Sequence, residues 1–146
     1  MSADRTLHAL VGLPLWAVGR AGSLVWFQFG ERRPVTDRKG EHREVGAYAL
    51  HVDCPWRLVD DAGTEHANED SEDWRFEALG HQSLVVERAL STGDYGAVIQ
   101  FIGGWTLRVS PDLTDDDEVI EYWRFFEPYQ GRPHLIARSD GVDLEG

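Results

Sequence analysis

Cysteine and lysine occur once each in this chain of 146 residues, and both scarcities exclude something. With Cys54 alone there is no internal disulfide and no zinc site built from several thiolates. With Lys39 alone, positive charge comes almost entirely from arginine, and the formal charge of -12 is the opposite of what a phosphate-binding surface needs. Nucleic acid is therefore excluded as a partner, whereas a basic protein suits the field. No run approaches the 18 or so apolar residues of a membrane helix, and the start, MSADRTLHALVG, has neither a basic leader nor a long apolar segment. The expectation is a cytoplasmic protein that does not enter a membrane.

Catalytic signatures are missing too. There is no GxSxG, no phosphate-binding loop and no GxGxxG after a strand, and the histidines at 8, 42, 51, 66, 81 and 134 show neither HxH nor HExxH spacing. Two acidic stretches, 60–73 with seven carboxylates and 111–121 with six, lack the glycine and glutamate positions of a calcium loop. No metal, no cofactor and no enzyme activity is expected from these patterns, and both stretches read as solvated linkers. The segment 31–44, with five basic and four acidic residues, reads as a loop.

What is present is a core-forming composition and a repeat. Hydrophobic residues make up 42% of the chain, enough for one domain over 1–146. From Asp4 and again from Asp73, an aspartate precedes apolar residues at helical spacing (Leu7, Leu10; Phe76, Leu79) and then a glycine, Gly12 or Gly80. A hairpin pattern follows each: Pro14 to Arg20 with Leu24 to Phe29, and Leu84 to Leu90 with Ala97 to Ile102. ALHV at 49–52 then answers TLRV at 106–109, and PWRL at 55–58 answers YWRF at 122–125. These correspondences predict an α+β fold, predominantly antiparallel β, built as two α-β-β-β-β units over about 4–58 and 73–126 that share one core. Gly103-Gly104 is the expected tight turn, HLIAR a further strand, and 139–146 a polar tail that frays.

Strand alternation assigns sides. Tyr48, Leu50, Val52 and Cys54 share the core side, while Ala49, His51 and Asp53 share the other, where Arg108 is the counterpart of His51. In Trp56-Arg57 and Trp123-Arg124 each tryptophan is placed in the core with its arginine emerging. The candidate binding residues are therefore His51, Asp53, Arg57, Arg108 and Arg124, with Asp53 close enough to orient the His51 imidazole and the two Trp-Arg arginines able to converge on an anion across a pseudo-two-fold axis. No catalytic residue is assigned.

ALHVDCPWRL with the later EYWRFF resembles a family of small bacterial hypothetical proteins, mostly actinobacterial. That resemblance implies a self-contained bacterial domain and no particular activity. The function expected is a non-enzymatic binding protein that meets a basic protein partner, as an immunity-like neutralising protein would. The alternative is a small-ligand module with its site between the two repeats. Unpaired strand edges leave room for a homodimer.

Overall fold

The computed structural model describes residues 3–72, 76, 79, 82–113 and 118–145. The chain opens with a short helix, α1 (Ala3–Leu7), and a single 3-10 turn (His8–Leu10), which sink Leu7 and Leu10 completely into the core. Asp4 lies within the first turn of α1, and its carboxylate accepts the backbone N–H and hydroxyl of Ser91, both at 2.7 Å. Those two bonds hold its carboxyl below the usual range. Of the helix expected between Asp73 and Gly80, only Phe76 and Leu79 are described. Both are helical and buried, and the rest of that expectation lies outside the described residues.

Thirteen strands follow in the described chain: β1 (Pro14–Ala21), β2 (Leu24–Phe29), β3 (Arg33–Thr36), β4 (His42–Val45), β5 (Tyr48–Val52), β6 (Trp56–Val59), β7 (Glu65–Asn68), β8 (Leu84–Ser91), β9 (Ala97–Phe101), β10 (Thr106–Val109), β11 (Glu121–Phe126), β12 (His134–Arg138) and β13 (Gly141–Glu145). Eleven form one sheet in the order β13-β12-β11-β5-β2-β1-β8-β9-β10-β6-β7, and β3 pairs only with β4. The recorded pairings are antiparallel, as the predominantly β reading requires.

The sheet folds over on itself. Phe27 on β2 and Trp56 on β6 stand five strands apart in that order, about 24 Å in a flat sheet, yet their rings meet edge to face at 5.2 Å. The fold line is the β1–β8 contact, which spans only Pro14↔Val85 and Leu15↔Leu84. Two wings thus enclose one core, to which β2, β5, β11 and β12 contribute from one side and β6, β8, β9 and β10 from the other.

Outward from that line one wing runs β1, β2, β5, β11, β12, β13 and the other β8, β9, β10, β6, β7. The pairing does not keep the two expected α-β-β-β-β units separate. β6 leaves the first half of the chain to pair with β10, and β11 leaves the second to pair with β5. Corresponding bonds close the two wings. Gly30 N–H donates to the Pro14 carbonyl at 2.9 Å, as Ile102 does to Val85 at 2.8 Å. Asp53 donates to Tyr122 at 2.8 Å, as Ser110 does to Pro55 at 2.9 Å. Both central hairpins also break register at the same relative place, between Leu15 and Ala17 and between Val86 and Arg88.

Three segments read as loops or tail are ordered strands. In 31–44, β3 and β4 close around a turn in which Asp37 Oδ1 accepts the N–H groups of Lys39 and Glu41, so that side-chain capping supplies what apolar alternation does not. In 60–72, Asp60 organises a turn in the same way through Ala62 and Thr64, and β7 pairs with β6. At the C-terminus β13 pairs along β12, with Arg138 bonded to Glu145. Gly103 and Gly104, at φ 102° and 94°, make the β9–β10 turn as expected. Among the described residues no helix is long and apolar enough to cross a membrane.

Candidate functional site

The outer face of the β12-β11-β5-β2 wing carries a cleft. β5 alternates as the sequence implies: Leu50 and Val52 are buried in the core, while Ala49 and His51 face outward. Register places His51 opposite Trp26 of β2 on one side and Arg124 of β11 on the other. Phe126, two residues along β11, meets the His51 imidazole edge to face at 4.7 Å and stacks on His134 of β12 at 4.4 Å. The β3–β4 hairpin overhangs this face and brings Arg43 and Val45 over it. Together with residues 127–131 these elements enclose a cleft of about 340 Å³, within the range of small-molecule sites. Beyond Arg43 and Tyr129 it continues into an open recess under the hairpin tip, beside Arg38 and Lys39.

The polar side chains are held firmly. Arg124 grips Glu121 with two bonds, Nε to Oε2 at 3.1 Å and Nη2 to Oε1 at 2.6 Å, and directs Nη1 to His134 Nδ1 at 2.9 Å. Burial and the adjacent Arg124 charge both lower the pKa of His51, and the same two causes lower that of His134. Both imidazoles are accordingly neutral at pH 7. Gln28 is only 7% exposed, and its Oε1 accepts the Gly46 N–H at 2.8 Å. Gly46 is needed there, because a Cβ would lie 2.5 Å from the Phe29 carbonyl oxygen.

The five residues singled out from the sequence are divided between the wings. His51 and Arg124 are cross-strand neighbours, and Arg57 and Arg108 are cross-strand neighbours on β6 and β10. Trp56 and Trp123 face the shared core from opposite wings, so Arg57 and Arg124 emerge on opposite outer faces and do not converge on one anion. Asp53 lies just past the end of β5, exposed, and among the described residues no hydrogen bond or ion pair joins it to His51. The tryptophans do enter the core, Trp56 at 3% and Trp123 at 1% exposure. Cys54 packs against the core, and burial, with Asp53, Glu69 and Asp112 nearby, pushes its thiol up to about 12.

Gln28, Arg43, Phe126 and His134 were not singled out in the sequence. Gln28 had a signal, as the one polar residue in the strand LVWFQF on the face opposite Val25, Phe27 and Phe29. The others depend on β4 and β12 being brought against β5 and β11. Among the described residues no group of three or more His, Cys, Asp or Glu is placed to hold a metal ion. Comparison of the chain with protein-family models, with curated proteins and with solved structures finds no match in any of the three.

Proposed function

We propose that this protein is a non-enzymatic small-ligand-binding module whose site is the cleft over β5 and β11. The observation that carries this reading is the cleft's composition. Apolar walls from Val45, Ala49 and Phe126 surround a few polar groups, two neutral imidazoles and the buried Gln28, whose positions are set by hydrogen bonds and ring contacts within the fold. The cleft draws Gln28 to His51 from the first half of the chain and Phe126 to His134 from the end of the second. A thermal-shift screen of a broad metabolite panel tests the reading. Hits should raise the melting temperature of the wild type and leave Phe126→Ala unmoved; hits that stabilise both equally, or none at all, would remove the cleft as the site.

The same reading treats the chain as an internal duplication whose two halves have exchanged their Trp-Arg strands. The mirrored strand order and the paired bonds at Asp53 and Ser110 support it. It requires β1, β2, β5 and β11 to superpose on β8, β9, β10 and β6 by one rotation of about 180°. A cytoplasmic setting and kinship with the small bacterial proteins carrying the two Trp-Arg motifs belong to the proposal as well.

A second reading, a basic protein partner, is favoured by one observation. The free edge strand β7 is flanked by the exposed carboxylates of Asp61, Glu65, Asp70 and Glu72 in a chain of charge -12. Capture from lysate at low and high salt, with those four acids as amides in the control, tests it. A basic partner held only by the wild type and released by salt supports this reading, and equal capture by both proteins ends it.

A further inference from the structure

We propose that the cleft takes a small organic acid, its carboxylate met by Gln28, His134 and Arg43 and its apolar body lying along Phe126, Ala49 and Val45; this rests on the cleft being the ligand site. A count of donors and acceptors leads there. Because Gln28 Oε1 is occupied by the Gly46 N–H, the amide orientation is fixed and its NH2 group is left with two donors. Gln28 is more than nine-tenths buried and lines the cleft, and no partner for that NH2 is found among the described residues. His134 is fixed in the same way. Its Nδ1 sits 2.9 Å from Arg124 Nη1, and a guanidinium can only donate, so Nδ1 carries the lone pair and the neutral ring keeps its proton on Nε2.

Arg43 adds a cation at the mouth, with no carboxylate within ion-pair distance among the described residues. His51 has no hydrogen-bond partner among them either, and as a neutral imidazole it supplies one donor and one acceptor. Against these donors the lining holds a single carboxylate, Glu127, which faces Arg132 at 3.5 Å. A cleft with surplus N–H groups and a guanidinium leaves its own polar groups unpaired unless the ligand brings acceptor oxygens. A carboxylate supplies them compactly, and charge-assisted bonds are the stronger kind. Ligands that are amines or neutral donors leave Gln28 unsatisfied.

Isothermal titration of the full chain with two matched sets, phenylacetate with phenylacetamide and 2-phenylethylamine, and hexanoate with hexanamide and hexylamine, tests the class. The acid of at least one set should bind about tenfold or more tightly than its amide, and the amine more weakly still. Arg43→Gln, on the exposed hairpin, should erase most of the acid's advantage over its amide. Gln28→Glu, which replaces the NH2 by a carboxylate oxygen, should abolish acid binding, with circular dichroism confirming the fold. Amide or amine binding as tight as acid overturns the acid class and leaves the cleft reading standing. If neither set binds while metabolites still stabilise the protein in a Phe126-dependent way, the acid class fails alone; silence in both experiments removes the cleft reading as well.

Discussion

The two repeated tryptophans offer a comparison in which most unknowns cancel. Trp56 on β6 and Trp123 on β11 are both almost fully buried, but among the described residues only Trp123 finds a partner for its indole N–H. Trp123 Nε1 donates to the Tyr95 carbonyl at 2.7 Å, in the long β8–β9 turn where Tyr95 is held at φ 64°. Trp56 Nε1 is buried with no partner among the described residues. Replacing either by Phe removes the same atoms, at a similar packing cost of about 1–2 kcal/mol. At Trp123 the change also loses a hydrogen bond worth about 1 kcal/mol net and strands the Tyr95 carbonyl. At Trp56 it relieves an unpaired buried N–H that costs about 1–3 kcal/mol. Trp123→Phe should therefore be less stable than Trp56→Phe by about 2–4 kcal/mol. Urea unfolding followed by far-UV circular dichroism measures this directly, and with a slope of about 2 kcal/mol per molar the midpoints should differ by about 1 M or more. Equal midpoints, or a lower one for Trp56→Phe, would falsify the assignment of these hydrogen bonds.

Other outcomes follow from the same contacts. Because the folded-state pKa values of His51 and His134 lie below the ordinary 6.5, the unfolded chain binds more protons just below that value; stability should be full above pH 6.5 and fall as pH drops beneath it. His51→Phe should flatten that slope in urea titrations at pH 5 and 7, and an unchanged slope would count against burial of the imidazole. Cys54, at about 12 against an ordinary 9.0, should react with iodoacetamide at pH 8 two to three orders of magnitude more slowly than a free thiol; a rate near the free thiol's would mean the site opens readily. Gly46→Ala forces a methyl group against the Phe29 backbone and loosens Gln28, so it should cost about 2 kcal/mol of stability and weaken every cleft ligand together.

Much of this architecture is local chemistry and so is readable in the chain. Alternating apolar residues with short glycine turns define β1, β2, β8, β9 and the Gly103-Gly104 hairpin, and the period of two puts Trp56 and Trp123 inside and Arg57 and Arg124 outside. The strands that were missed, β3, β4, β7 and β13, are polar or charged, and their order comes from pairing and from the aspartate-capped turns at Asp37 and Asp60. Which strands become neighbours was decided only in three dimensions. Periodicity says which face of a strand is apolar but not whose face it meets, so the pairing of β6 with β10 and of β11 with β5 left no local mark. The cleft shows the same division: the sequence by itself determined that His51 faces outward on β5, while only the tertiary structure set Gln28, Arg43 and His134 around it, because their nearness depends on long-range pairing that leaves no short-range pattern.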